Sequence, residues 1–292
     1  MRGNAEMHEL VAPGSLGAVL DLLAAEPGQW TPIAGGTELM VAFSAGRLNA
    51  HKLVNLWGIP DLRAIEVTPQ SVAVGAASTF LDLRKHAGLN AEFPLLARAA
   101  SWIGSVANQS RATLGGNLVN GSPAADSSPA LLAYDAEIET ISVRGRRKVR
   151  YSEFHLGYKR NVLAADELLY AIHLPRRFSR HRQYLRKVGT RRAMAIAKVA
   201  LGATALLEQG VIREIRLGAA SLAPYPMRLK QTEAALLGHA LTRETVLAAR
   251  RALIAEVQPI DDIRSTAEYR RRVAVNLLEE FLLELRREGS RP

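Results

Sequence analysis

The chain contains no cysteine in its 292 residues. That excludes disulfides, zinc–thiolate sites and any iron–sulfur cluster held by this polypeptide, and it fits a reducing compartment. No stretch approaches the ~18 apolar residues of a membrane-spanning helix. The opening MRGNAEMHEL lacks the apolar segment of a secretion signal. The expectation is a soluble, cytoplasmic, globular protein. Several chemistry-bearing motifs are also missing. There is no GxGxxG, no GxxxxGK followed by Ser or Thr, and no HExxH. The seven histidines are scattered, so no metal cluster and no Ser–His–Asp set can be assembled from spacing. Aromatics make up only 5% of residues, too few to suggest a base-stacking surface.

What is abundant is apolar and basic. Hydrophobic residues account for 48%, enough for a sizeable core, and the length suits two or three folded pieces. The formal net charge is +10. Eight of the seventeen residues from Arg176 to Arg192 are Lys or Arg, and a second basic run, RGRRKVR, covers 144–150. Such runs read either as solvated surface or as a face for an anionic cofactor, an acidic partner or nucleic acid.

Periodicity organises the chain. Ser15 precedes a helix with Leu16, Val19, Leu20 and Leu23 on one face. WTPIA (30–34) reads as a strand, ELMVAFSAG (38–46) as a short helix ended by Gly46, and HKLVNL (51–56) as a second strand. SVAVGAA (71–77) alternates as a strand. An amphipathic helix is predicted over 94–107, with Leu95, Leu96, Ala99, Trp102, Ile103 and Val106 as its stripe. The segment 111–139 predicts a loop, a short helix near 127–134, then a strand. A hairpin around Arg144–Gly145–Arg146 puts the second basic run largely at a tip, which favours its solvated reading. ELLYAIHLP (167–175) is a strand ended by Pro175. Beyond it come strands at 183–188, 196–208 and 211–221, turning at Gln209–Gly210, then helices. Ser265 and Glu268 have capping-box spacing before the apolar series Val273, Leu277, Leu278, Phe281, Leu282 and Leu285. Residues 176–292 thus predict a three-stranded antiparallel sheet with helices on one face.

Two glycine-rich stretches stand out, AGGTEL (34–39) and TLGGNLVNGSPAAD (113–126). A diphosphate needs converging backbone N–H donors, no intervening Cβ atoms, and often a hydroxyl. Gly35, Gly36 and Thr37 could supply these from one side, and Gly115, Gly116 and Asn117 from the other. By spacing alone, two ordinary turns would look the same. Asp126 reads equally as the N-cap of the short helix, Lys187 as a surface lysine, and Trp102 and Ile103 as core.

Taken together and in order, AGGTEL, RATLGGNLVNGSPAADSSPALLAYDA, DELLYAIHLP, YLRKVGTRRAMAIAKVALGA, LGAASLAPYPMRLKQTEAAL and PIDDIRSTAEYRRRVA resemble one family. It is that of the FAD-binding, or medium, subunits of the molybdenum hydroxylases, which include carbon monoxide dehydrogenase, nicotinate dehydrogenase, 4-hydroxybenzoyl-CoA reductase and the FAD domain of xanthine dehydrogenase. The resemblance covers nearly the whole chain. It implies an α+β protein: a two-part PCMH-type FAD-binding fold shared with vanillyl-alcohol oxidase (residues 1–175, parts 1–58 and 59–175), then a C-terminal domain of the CO dehydrogenase flavoprotein type (176–292).

By that resemblance FAD lies extended between the two N-terminal parts. Pro32, Ile33, Ala34, Gly35, Gly36, Thr37, Glu38 and Leu39 match the first diphosphate loop, and Thr113, Leu114, Gly115, Gly116 and Asn117 the second. Asp126 matches a cofactor-contacting position, and Ile103, Leu169 and Lys187 fall where relatives place flavin or adenine contacts. No acid–base residue and no metal ligand is implied. The chain would belong to a heterotrimer, or a dimer of heterotrimers, with a molybdenum-cofactor large subunit and a small subunit carrying two [2Fe–2S] clusters. It would pass electrons through FAD to NAD, oxygen or a quinone. The lack of cysteine agrees, and argues against the iron–sulfur insertion of the 4-hydroxybenzoyl-CoA reductases. One departure is that Ala193–Met194–Ala195 follows Arg191–Arg192 where animal xanthine dehydrogenases carry acidic residues, which weakens the case for NAD⁺. The other readings are a stand-alone flavoenzyme of the vanillyl-alcohol oxidase type and a basic nucleic-acid-binding protein.

Overall fold

The computed structural model describes residues 3–289, so the outer ends of the expected domains, residues 1–2 and 290–292, lie outside the described residues. The first elements are β1 (Glu9–Val11), α1 (Leu16–Ala25), β2 (Trp30–Ile33), α2 (Leu39–Ser44) and β3 (Lys52–Asn55). Ser15 caps α1 by accepting from the Ala18 N–H, and Leu16, Val19, Leu20 and Leu23 are buried, as their spacing predicts. The strands form a parallel sheet in the order β1-β3-β2.

The next elements are β4 (Ile65–Val67), β5 (Ser71–Gly75), α3 (Phe80–Lys85), α4 (Ala87–Glu92), α5 (Pro94–Ser101), α6 (Val106–Gln109), α7 (Leu114–Val119), α8 (Ser128–Ala133), β6 (Glu137–Ser142), β7 (Gly145–Arg150), β8 (His155–Gly157), β9 (Arg160–Asn161) and β10 (Leu168–Pro175). Five of the strands make an antiparallel sheet, β4-β5-β10-β6-β7, with β10 at its centre, and β8 pairs with β9. The apolar face of this sheet packs against α3, α5, α7 and α8 around Phe80, Phe93, Tyr134 and Ile172.

Two expectations fail in this region. The helix predicted over 94–107 stops at Ser101, because Gly104 adopts φ +45 and Ser105 with Asn108 forms the capping box of a new helix. Trp102 and Ile103 are left half-buried in the connection, and Val106 is exposed. The segment expected as a loop after 111 holds a helix, α7, capped by Thr113. Gly115 sits inside it because its N–H binds the Ala76 carbonyl and a Cβ would fall 2.6 Å from the Ala76 methyl.

The remaining elements are β11 (Arg182–Val188), β12 (Val199–Glu208), β13 (Val211–Ala220), β14 (Met227–Arg228), α9 (Lys230–Ala234), α10 (Arg243–Glu256) and α11 (Ala267–Gly289). The sheet has four strands rather than the predicted three, because Met227 and Arg228 pair with Ala219 and Gly218 as a short edge. The cap of α11 is also displaced by one residue. Thr266 Oγ1 accepts from the Tyr269 N–H, while the Ser265 N–H is held by Asp262.

Helices α10 and α11 cover one face of this sheet. The other face is covered by α8, all of whose residues are buried. That contact needs small residues on the sheet: a Cβ on Gly202 or Gly218 would come within 2.5 Å of the Pro129 carbonyl oxygen. Thr204 Oγ1 donates to the Ala133 carbonyl (2.9 Å), and the Ser221 N–H to that of Pro123 (2.7 Å). Among the described residues no helix is long and apolar enough to cross a membrane.

Candidate functional site

A cleft of about 500 Å³ runs between the parallel sheet and the five-stranded sheet. Of the residues singled out by sequence, it is lined by Pro32, Ala34, Gly35, Gly36, Thr37, Glu38 and Leu39 from one side. Ile103, Thr113, Gly115, Gly116, Asn117 and Leu169 line it from the other. Ile33 and Leu114 turn away from it; Leu114 is fully buried in the core. Asp126 and Lys187 also lie outside the lining.

The first loop is built to bring backbone close to other groups. Gly35 presses on the backbone just ahead of the second glycine stretch: a Cβ there would sit 1.7 Å from the Arg111 carbonyl oxygen. Gly36 holds φ +72, which favours glycine. The N–H groups of Gly35, Gly36, Thr37 and Glu38 have no hydrogen-bond partner among the described residues, and Glu38 gives α2 no side-chain cap. Four consecutive free donors without obstructing Cβ atoms at the glycines match what a diphosphate needs.

The second stretch does not mirror the first. Its N–H groups are consumed internally: Gly115 donates to Ala76 O (2.8 Å), Gly116 to Thr113 Oγ1 (3.1 Å) and Asn117 to Thr113 O (3.0 Å). The expectation that both stretches supply backbone donors is therefore corrected to one. What the second side can offer is side-chain chemistry. Ser127 Oγ donates to Asn117 Oδ1 (2.7 Å), fixing the amide and leaving Asn117 Nδ2 without a partner among the described residues. The Thr113 hydroxyl still has its own proton to donate.

The cleft carries two carboxylates, and both are compensated. Glu38 lies 3.3 Å from Lys159. Glu167 accepts from Arg147, from Thr140 and from the Ala164 N–H, and these hold its carboxyl below the usual range, the Arg147 hydrogen bond most strongly. A diphosphate would thus meet free N–H donors with the carboxylate charge already offset. Sequence reasoning missed Trp30, Ala76, Asn120, Asn161 and Glu167, which also line the cleft. Asn120 lies within the second glycine-rich stretch, but no local motif marks the other four, which the tertiary fold brings in.

Asp126 is not the N-cap of α8, since Ser127 occupies that position and makes no side-chain cap. Its Oδ2 instead accepts from Lys187 Nζ at 2.7 Å, with both side chains close to fully buried. The two site candidates, 61 residues apart, therefore meet. Burial pushes the Asp126 carboxyl up to about 6, with Lys187 pulling the other way, and Oδ1 has no partner. The pair joins the segment before α8 to β11.

The basic run 176–192 is largely engaged in ion pairs: Arg176 with Glu92, Arg177 with Asp135 and Glu214, Arg182 with Glu284, Arg186 with Glu280 and Lys187 with Asp126.

Two family models match successive parts of the chain. Residues 5–177 match the family model described as the FAD binding domain in molybdopterin dehydrogenase. Residues 184–285 match the CO dehydrogenase flavoprotein C-terminal domain. The xanthine dehydrogenase FAD-binding subunit of Escherichia coli O157:H7 is 30% identical over 272 residues, covering 92% of this chain and 93% of that one. The carbon monoxide dehydrogenase medium chain of Hydrogenophaga pseudoflava is 28% identical over 274 residues, covering 94% and 95%. A solved structure of carbon monoxide dehydrogenase from Hydrogenophaga pseudoflava superposes with a TM-score of 0.90 at 29% identity, covering 96% of each chain.

Proposed function

The chain belongs to the family of FAD-binding subunits of the molybdenum hydroxylases, and from that premise we propose that it carries electrons from the [2Fe–2S] clusters of a partner subunit to a final acceptor. It binds FAD, and it is one subunit of an oxidoreductase. The proposed partners are a molybdenum-cofactor large subunit and an iron–sulfur small subunit; the proposed setting is the cytoplasm, in keeping with a chain free of cysteine.

The observation that carries this reading is the chemistry of the cleft. Its only carboxylates, among the described residues, are Glu38 and Glu167, each held by a cation, and no histidine or lysine lines it. A stand-alone flavoenzyme needs its own acid–base set beside the substrate. This cleft instead offers donors and apolar walls, which suits binding and tuning of a cofactor.

The N–H groups of Gly35 to Glu38 hold the diphosphate, and Thr113 and Asn117 Nδ2 donate from the opposite wall. Ile103 and Leu169 supply apolar surface that excludes water. Asp126 and Lys187 hold the C-terminal sheet against the segment that positions Asn117. When bound, FAD supplies the capacity to accept electrons singly and to release two.

For the acceptor, NAD⁺, oxygen and a quinone are to be compared directly. Arg191 folds back to donate to the carbonyls of Ala193 and Met194, and Met194 holds φ +52, so this loop turns carbonyl-bound arginine and apolar side chains toward its surroundings.

The test is to purify the chain and measure flavin absorbance, then reoxidation of the reduced complex by each acceptor. A colourless protein that cannot be reconstituted with FAD would overturn the reading.

A further inference from the structure

The molecule has a second large cavity, about 670 Å³, which shares no lining residue with the FAD cleft. It lies at the other end of the central strand. Leu169 of β10 faces the cleft and Pro175 the second cavity, and six residues of strand put them roughly 20 Å apart.

Six cations line this groove against three carboxylates. Its floor is an ion network. Asp135, at φ +49 just after α8, accepts from Arg177, Arg216 and Arg228. Arg228 also forks onto Glu233, and both of those side chains are mostly buried, at 15% and 11% exposure. Asp135 is thus one carboxylate among three guanidinium groups.

The rim differs. The side chains of Lys148, Arg150 and Lys230 line the cavity, are exposed, and make no hydrogen bond or ion pair among the described residues, with Glu137 of the lining cross-strand from Arg150 as the one carboxylate near the rim. The contrast within one strand is informative. In the run 144–150, Arg144, Arg146 and Arg147 pair with Asp166, Glu139 and Glu167. Lys148 and Arg150, two residues apart and so on one face of β7, are left unpaired where they meet the groove. Its walls come from the five-stranded sheet, from the connection at Arg177, and from β13, β14 and α9.

We propose that this groove is a second anion site, taking a small soluble molecule that carries a diphosphate or comparable multiply charged group. The volume admits a nucleotide-sized ligand, and the unpaired rim cations supply the counter-charge. The proposal stands independently of the electron-transfer reading. Because the walls come from both halves of the chain, an occupant ties them together, so binding registers as a raised unfolding temperature.

The experiment uses the FAD-loaded full-length chain, titrated with pyrophosphate and with ADP at constant ionic strength; inorganic phosphate and sulfate serve as references. The expected result is saturable one-to-one binding of pyrophosphate with the flavin absorbance retained. The Lys148→Glu/Lys230→Glu double variant should weaken it at least tenfold, and the milder Lys148→Gln/Lys230→Gln pair by a smaller factor. If the charge-reversed protein fails to fold, the glutamine pair decides. Absence of saturable binding, equal binding by the glutamine pair, or release of flavin by the added anion would each refute the site. Loss of binding in the assembled complex would do so too, since the groove would then be a subunit contact.

Discussion

Alanine at position 35 would put its methyl carbon 1.7 Å from the carbonyl oxygen of Arg111 and 2.5 Å from the carbonyl carbon. Backbone cannot swing aside as a side-chain tip can. The two segments must part by about 1.3 Å merely to bring that contact to 3.0 Å. Overpacking of this kind costs about 1–3 kcal/mol. The displaced segment is also the one that presents the free N–H groups of Gly35 to Glu38. A hydrogen bond to a charged group contributes about 1.5–3 kcal/mol, so misplacing one should weaken FAD binding about 10- to 100-fold. Gly36→Ala is the internal comparison. There φ is +72, which costs about 1–2 kcal/mol for an L-residue, but the nearest atom is the flexible Met40 Cγ at 3.1 Å. Gly35→Ala should therefore be the more damaging, although its own backbone dihedrals are not left-handed. The assay is fluorescence titration of the flavin-free protein with FAD, with circular dichroism to show that the C-terminal sheet stays folded. If Gly35→Ala purifies with a full complement of flavin at unchanged affinity, the contact between the two segments does not organise the site.

Asp126 provides a pH-dependent test. Its carboxyl is raised from 3.8 to about 6, so between those values the folded state holds the extra proton, and stability linked to this group falls as pH rises from about 4 to about 6. At about 1.4 kcal/mol per unit the fall is at most about 3 kcal/mol. Asp126→Asn should remove this pH dependence between about 4 and 6 in urea unfolding, while its unpaired Lys187 makes it the less stable protein at pH 7; an unchanged slope would show that another group titrates there. His155 has the opposite sign: burial lowers it from 6.5 to about 4, so stability is lost as pH drops through that window, and His155→Phe should flatten this limb in unfolding at pH 5. Thr266→Ala should cost about 1 kcal/mol by removing the cap of α11, and Ser265→Ala much less; equal effects would contradict the observed cap. Gly218→Ala brings a methyl within 2.5 Å of the Pro129 carbonyl oxygen, so a loss of about 1–3 kcal/mol is expected by thermal unfolding.

The elements that were legible in the sequence are those whose causes are local. The spacing of Leu16, Val19, Leu20 and Leu23 with Ser15 ahead of them states α1 completely, and Gln209–Gly210 marks its hairpin because both residues take positive φ. The resemblance named the family, but it did not convey how the two glycine stretches differ. Gly115 is small because Ala76 lies against it, and Gly35 because Arg111 does, and these neighbours are distant in the chain. Asp126 looked like a cap because its partner Lys187 is 61 residues away. Trp102 and Ile103 fit a helical stripe, yet the positive φ of Gly104 and the Ser105–Asn108 capping box override periodicity there.

Helix α8 is only six residues long, yet each end is followed or preceded by an aspartate that reaches the C-terminal sheet: Asp126 to Lys187, and Asp135 to Arg216 and Arg228. Its length is therefore fixed as a gauge is fixed. One inserted residue would rotate everything beyond it by about 100° and advance it about 1.5 Å, so the two aspartates could not both keep their cations. Natural insertions and deletions should avoid 126–135 and collect instead at places such as the Val143–Arg144 turn of the β6–β7 hairpin. The same segment carries Ser127, which holds Asn117 of the cleft, at one end and Asp135 of the cationic groove at the other, so re-spacing one disturbs the other.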